Sequence, residues 1–298
     1  MEFKRTRIAP TPSGFLHVGN ILSFSLTAGL ARRSGASILL RIDNLDRERA
    51  SQEYLQDIFE TLRFLGIPWD EGPKDVAGFE RSWSQVRRLS MYEEALRLLR
   101  ESGMVFACSC SRAELARAGG DGGYPGTCRE RGVPLDAPGV NWRLRTDAKS
   151  AGFVRRDELP AEMRDFVVRK KDGFPAYQLS SVVDDVHFGV DLIVRGMDLL
   201  PSTSAQLVLA EVLTVAGMAE AASFGRARFV HHPLLLGADG DKLSKSAGAT
   251  SINYLRQQGH SAADVFALIG RLSGLEEPVG DWEGLATRLF ARGYGVGR

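Results

Sequence analysis

The sequence predicts an α/β fold: a parallel sheet covered by helices, split by an inserted α+β segment and followed by a short helical region. Three observations predict it. Strand and helix patterns alternate from Ile8 to Gly66. A Gly-rich stretch of weak periodicity, with all three cysteines in or beside it, then interrupts them. The alternation resumes at Val190.

Each element has its own signal. Ile8-Ala9-Pro10 reads as a strand running into a loop. Asn20 is the expected cap of a helix carrying Leu22, Leu26 and Leu30, which Gly35 ends. Ser37–Ile42 is a short apolar run, expected as a buried strand. Leu55, Ile58, Leu62 and Leu65 mark one face of a second helix, with Gly66 behind it. Ser90 and Glu93 suggest a capping box before Ala95, Leu96 and Leu99. Phe166–Arg169 and Ala176–Val183 flank Asp172-Gly173, which reads as a hairpin turn. Val190–Val194 is expected as a strand, Thr203–Ala216 as a helix ended by Gly217, and Phe229-Val230 and Leu234–Leu236 as strands. The remainder looks helical as far as Gly293. The expected domains are therefore 1–79 with 173–246 for the sheet, 80–172 for the insertion, and 247–298 for the helical end.

Composition narrows the function classes. The chain has 298 residues, is 44% hydrophobic and carries a net charge of +1, so a polyanion would need a local basic patch rather than a global field. Met1-Glu2-Phe3-Lys4-Arg5 lacks the apolar stretch of a signal peptide. No run approaches the ~18 apolar residues of a membrane span. Three cysteines in a chain of this length do not suggest a disulfide framework, and a reducing cytoplasm is the expected compartment.

Two motifs carry chemistry. Pro12-Ser13-Gly14-Phe15-Leu16-His17-Val18-Gly19-Asn20 stands near the start, and Lys242-Leu243-Ser244-Lys245-Ser246 stands late. Singly, the first is an ordinary turn before a helix and the second an ordinary solvated loop. A strand, a Gly-containing loop and a helix N-terminus nevertheless make an anion site, because backbone N–H groups and the helix dipole point at its occupant. Together and in this order, the motifs resemble the paired nucleotide-binding motifs of class I aminoacyl-tRNA synthetases. The resemblance implies a Rossmann-type sheet that binds ATP with its Mg2+ through His17, Gly19, Asn20, Lys242, Ser244 and Lys245. His17 and Lys245 would be catalytic: His17 would contact the triphosphate, and Lys245 would supply positive charge where the α-phosphate gathers negative charge.

Further blocks narrow the resemblance. Arg7–Gly14, Leu40–Arg47, Ala176–Leu179, Val182–Asp185 and Arg195–Leu200 are similar to glutamyl-tRNA synthetases. This implies an L-glutamate site in which Arg7 and Arg195 clamp the two carboxylates with planar, charge-assisted hydrogen bonds. Asp43 would neutralise the ammonium, Tyr177 would add a hydroxyl and an aromatic wall, and Ala9 and Thr11 would complete the contacts. The family usually has Glu-Asp where this chain has Asp43-Asn44, a side chain one methylene shorter at the ammonium.

Cys108, Cys110 and Cys128 are one ligand short of a tetrahedral zinc site. Tyr124 stands four residues before Cys128. The short homologues called glutamyl-queuosine-tRNA(Asp) synthetases bind zinc through Cys-x-Cys…Tyr-x-x-x-Cys, and this chain resembles that pattern. The resemblance implies one structural Zn2+ on Cys108, Cys110, Tyr124 and Cys128, within an acceptor-binding-like inserted subdomain. Only 52 residues follow Ser246, too few for the helical anticodon-binding region of a complete glutamyl-tRNA synthetase. The implied reaction is therefore glutamate activation followed by transfer to queuosine in the anticodon loop of tRNA(Asp), by a monomer with no membrane partner. Arg112, Arg129, Arg131 and Arg143 are candidate phosphate contacts. Competing readings are a truncated enzyme charging tRNA(Glu), a non-catalytic paralogue binding adenylate or RNA, and a nucleotidyltransferase of the same superfold.

Overall fold

The computed structural model describes residues 2–117, 122–146, 159–236 and 250–294. Along these run β1 (Arg5–Ile8), α1 (Val18–Ser34), β2 (Ser37–Leu40), α2 (Gln52–Phe64), the single turn α3 (Val76–Gly78) and α4 (Leu89–Glu101). There follow β3 (Val105–Cys108), α5 (Arg112–Arg117), β4 (Asn141–Leu144), β5 (Val167–Arg169), α6 (Tyr177–His187), β6 (Leu192–Gly196) and α7 (Leu200–Val215). The last elements are α8 (Ala222–Arg226), β7 (Arg228–His232), α9 (Ile252–Gln257), α10 (Ala262–Leu272) and α11 (Trp282–Ala291).

The chain divides into two compact units. The first comprises Met1–Arg87, Val190–Asp198 and Ala227–Arg298; the second comprises Arg88–Gly189 and Leu199–Arg226. This differs from the division expected from sequence. Residues 173–189 and 199–226 group with the insertion, and the C-terminal helices group with the sheet.

The first unit is built on a parallel sheet of order β2-β1-β6-β7. Successive side chains of a strand alternate between faces. Ile8, Ile38, Leu40, Leu192, Val194 and Val230 enter one core with Ile21, Leu22 and Leu26 of α1. Arg7, Leu39, Ile193 and Arg195 alternate to the other face. Helix α1 is buried nearly all round, since α11 covers it as well as the sheet. A Cβ at Gly29 would stand 2.6 Å from Ala286 Cβ, so the glycine is what lets α11 approach. Leu55, Ile58 and Leu62 place α2 in the same core. Gly35 ends α1 in the left-handed conformation, as the sequence suggests. The start differs: His17, not Asn20, is the N-cap.

The second unit holds an antiparallel sheet, β3-β4-β5, with α4, α6 and α7 packed together. Tyr92, Ala95, Leu96 and Leu99 form the buried stripe of α4. Three expectations fail locally. No capping box opens α4, whose N-cap is Arg88 without a side-chain cap. Ala176–Val183 is not a strand: the turn at Asp172-Gly173 forms, and the chain enters α6 at Tyr177. In the first unit, Leu234–Leu236 has only one isolated bridge residue, Leu236.

Candidate active site

The C-terminal edge of the parallel sheet gathers the expected amino-acid residues of the first unit. Thr6 is level with Leu192, Ile8 with Leu40, and Arg195 with His231. Continuing these registers one residue beyond Ile8 and Leu40 brings Arg41, Ala9, Arg195 and His231 into one row. Arg7 lies two residues earlier on the same face, where its Nη1 donates to Val194 O at 3.4 Å. Arg7, Arg41, Asp43 and Arg195 are all buried. Pairing persists past the strand ends: Arg41 N–H donates to Ile8 O and Asp43 N–H to Pro10 O, both at 2.9 Å. Ala9 is half-buried and Thr11 exposed on the adjoining segment. Open parallel sheets bind ligands at this edge.

Asp43 has a partner that sequence reasoning missed. Arg41 Nε and Nη2 donate to its two oxygens at 2.8 and 3.0 Å, a bidentate pair. The i, i+2 spacing was the available signal, because both side chains then share a face. Asn44 uses both ends of its amide: it donates to Ser84 Oγ at 2.9 Å and accepts from Gln85 N–H at 3.0 Å. A carboxylate there could not donate. Burial lowers the pKa of His231 to about 4, helped by the charges of Arg195 and His232, so its imidazole is neutral at pH 7.

The His17 motif forms a helix start, an end whose free N–H groups and dipole favour an anion. The His17 Nδ1 accepts from Gly19 N–H at 3.1 Å, and Asn20 Oδ1 accepts from His17 N–H at 3.0 Å. With Nδ1 accepting, a neutral ring carries its proton on Nε2. A Cβ at Gly19 would lie 2.9 Å from His17 Cε1, so glycine is what admits the folded-back ring. One turn on, Ser23 Oγ lies 2.5 Å from His232 Nε2, and His232 Nδ1 lies 2.8 Å from Pro233 O. Nδ1–H donating to that carbonyl makes Nε2 the acceptor for Ser23, tying α1 to the end of β7. Sequence reasoning did not single out this pair. Lys242, Ser244 and Lys245 lie outside the described residues. The segment that follows them is fixed beside His17: Ile252 N–H donates to Leu16 O at 2.7 Å, and Val18 N–H to Thr250 O at 3.3 Å.

In the second unit, Tyr177 opens α6 and is exposed. The cysteines converge there. The sulfurs of Cys108, Cys110 and Cys128 lie within 4.8 Å of one another, and Cys110 and Cys128 are 3.5 Å apart. Tetrahedral thiolate coordination sets sulfurs about 3.8 Å apart, so the set fits one metal ion. Tyr124 Oη accepts from Cys128 N–H at 2.8 Å, which brings the hydroxyl to the cluster. Burial works to raise the Cys128 thiol, but hydrogen bonds from the Ser109 backbone, Cys110, Tyr124 and Cys108 bring it down to about 7. Burial and its sulfur neighbours push Cys110 up to about 12. One thiolate stabilised by its neighbours is the chemistry of a metal-ready cluster. The Arg143 guanidinium stacks over the Tyr124 ring at 3.9 Å.

The expected phosphate contacts separate. Arg143 is buried and donates to Asp165 O at 2.8 Å, and Arg129 is paired with the Asp165 carboxylate. Both serve the fold. Arg131 is exposed, and the Arg112 side chain lies outside the description.

The family model for the catalytic domain of class I tRNA synthetases (E and Q) matches residues 4–124 and 151–278. The chain belongs to this family. It is 37% identical over 290 residues to a Glutamyl-Q tRNA(Asp) synthetase of Nitratidesulfovibrio vulgaris, covering 91% of this chain and 86% of that one. A Glutamyl-Q tRNA(Asp) synthetase of Symbiobacterium thermophilum is 38% identical, over 92% and 88%. A glutamate–tRNA ligase of Anaeromyxobacter is 36% identical over 91% of this chain, which spans 58% of that ligase. Among solved structures, a glutamate–tRNA synthetase of Elizabethkingia anophelis superposes with a TM-score of 0.69 at 21% identity, over 96% of this chain and 65% of that one. That likeness shows the class I synthetase fold. The class is one of ligases. Among the described residues, no helix is long and apolar enough to cross a membrane.

Proposed function

We propose that the chain activates L-glutamate with ATP and transfers it to queuosine in tRNA(Asp). The observation that carries the first step is the row of buried charge at the sheet's C-terminal edge, beside the His17 helix start. Arg7 and Arg195 supply two guanidinium groups for a substrate with two carboxylates. Asp43, which Arg41 already holds in place, receives the ammonium. A shorter acid fixed by a bidentate arginine offsets the lost methylene with rigidity.

The glutamate α-carboxylate oxygen attacks the α-phosphorus of ATP, which enters with its Mg2+. The bond to the bridging oxygen breaks and pyrophosphate leaves. His17 Nε2–H and Lys245 face the charge that accumulates on the phosphates. A hydroxyl oxygen of the queuosine cyclopentenediol then attacks the activated carbonyl. The bond to the AMP oxygen breaks, and the hydroxyl proton passes to the departing phosphate. The protein contributes orientation and charge stabilisation.

Queuosine is the favoured acceptor because Cys108, Cys110, Tyr124 and Cys128 converge in the pattern of the short homologues. We assign these four groups to one structural Zn2+. Charging of tRNA(Glu) is the second reading, favoured by the likeness to the Anaeromyxobacter ligase. Radiolabelled glutamate offered with ATP to tRNA(Asp) with and without queuosine, beside tRNA(Glu), separates the two. Label is expected only on queuosine-bearing tRNA(Asp). Label on tRNA(Glu) selects the second reading, and label on none of the three rejects both acceptors.

A further inference from the structure

The first unit also buries Asp57, a carboxyl group that the proposed chemistry does not use. It projects from α2 and is 3% exposed. Placing a carboxyl there is costly unless its oxygens find partners. Its partners come from three directions. Leu16 N–H donates to Oδ2 at 3.4 Å, and Thr61 Oγ1, one turn along α2, donates to Oδ1 at 3.3 Å. From α9, Asn253 donates a side-chain hydrogen bond and Arg256 Nη1 stands 3.9 Å from Oδ1. Arg256 also pairs with Glu60 at 3.3 Å, which fixes α9 to α2 a second time. Burial pushes the Asp57 carboxyl above the usual range, against the pull of Leu16, Asn253, Thr61 and Arg256.

These partners have a meaning beyond cohesion. Leu16 immediately precedes His17, and Ser251 caps α9. Leu16–Val18 and Thr250–Ile252 are joined by the two backbone hydrogen bonds and the bridge between His17 and Ser251. Thr250 is four residues beyond Ser246. Asp57 therefore grips both sides of the short bridge where the flanks of the two nucleotide motifs meet. Neither motif contains it: Asp57 stands 41 residues beyond Leu16 in sequence and reaches it only through the fold.

We propose that Asp57 is a positioning residue for ATP, locking Leu16–Val18 against Thr250–Ile252 so that His17 keeps its register beside that segment. The inference rests on the assignment of His17 and Lys245 to ATP. It does not rest on the identity of the acceptor.

The test compares wild type, Asp57→Asn, Asp57→Ala and Asn253→Ala. Each is titrated with Mg-ATP alone by calorimetry, assayed for glutamate-dependent pyrophosphate exchange, and melted. Asp57→Ala is expected to weaken ATP binding and raise the KM for ATP about tenfold, with the KM for glutamate within about twofold, since a small misplacement of a reacting group costs this much. Asp57→Asn keeps an acceptor for Leu16 N–H and should recover part of the loss. Asn253→Ala, which loosens only the α9 side, should shift ATP in the same direction and by less. Unchanged ATP affinity in both Asp57 variants overturns the proposal. So does a parallel rise in both KM values that tracks the fall in melting temperature, which is what a merely structural group would give. If Asp57→Ala does not fold, Asp57→Asn and Asn253→Ala decide on the same criteria. Wild type that binds ATP without glutamate-dependent exchange overturns the glutamate reading, and the binding series still decides on Asp57. Wild type that does not bind ATP overturns both.

Discussion

The two units bury charge for different ends. In the sheet unit, Arg7, Arg41, Asp43 and Arg195 stand at or just beyond strand ends, where a parallel sheet opens. In the second unit, Asp184 accepts from Arg88 Nε at 2.8 Å and from Tyr92 Oη at 2.7 Å, and Arg88 stacks 5.0 Å from the Phe188 ring. Asp165 there accepts from the Thr146 amide at 3.1 Å and from the Thr146 hydroxyl at 3.0 Å, beside its pair with Arg129. The second set lies inside the packing and is ringed by donors from its own fold. Desolvation penalises both sets alike, so the answer lies in what offsets it. Internal partners close the second set, and the first contains the internal Arg41–Asp43 pair at the edge where, in the proposed function, glutamate adds its own charges. Burial alone therefore does not mark a functional charge, and position on the topology is the added guide.

The sharpest way to break this comparison is Asp184→Ala. It strands Arg88 in a dry environment and should cost about 3–5 kcal/mol in urea unfolding. An unchanged midpoint would show that the ring of donors around Asp184 is not structural. Lys245→Ala is the counterpart for the nucleotide site. Loss of one group that stabilises developing charge should lower pyrophosphate exchange about 10²–10³-fold with the melting temperature unmoved. Exchange near the wild-type rate would remove Lys245 from the mechanism.

Arg195→Lys sharpens the comparison further. Lysine keeps the charge but loses the planar fork, so the KM for glutamate should rise about 10–100-fold, in line with ~1.5–3 kcal/mol for a charged hydrogen bond. An equal rise for ATP would place Arg195 outside the amino-acid site. Cys108→Ser should give the smallest effect on exchange and the clearest one on metal. Protein purified without added zinc should fall from about one zinc per chain to substoichiometric content, with exchange changed less than about threefold, because the cluster and the row of charge lie in different units. Full zinc content in the variant would refute the four-ligand assignment.

Much of the sheet unit was legible in the sequence because its signals are local. Leu55, Ile58 and Leu62 repeat at helical spacing, Gly35 stops α1, and Ser37–Leu40 is an uninterrupted apolar strand. The second unit was harder to read. Val182 and Val183 favour a strand, and a hairpin signal precedes them, yet Leu179, Val182 and Val183 also keep helical spacing, and α6 buries them together. Ser90 and Glu93 offered a capping box, but the chain starts α4 two residues earlier, where Arg88 reaches Asp184. That contact spans 96 residues of sequence and leaves no local trace. The pairing of Arg41 with Asp43 could have been noticed from spacing; the joining of Ser23 to His232 could not. For the candidate site, motif resemblance supplied the residues, whereas their order across the sheet needed the registers.

The packing of α11 on α1 bears on synthesis. Helix α1 leaves the ribosome more than 250 residues before Ala286 and about as long before Phe290, which close over Gly29. Until then one side of this apolar helix waits uncovered, so the sheet unit cannot finish folding before α11 has emerged. Nascent chains halted before Trp282 should then engage chaperones and yield to proteases, whereas chains that have released α11 should resist them.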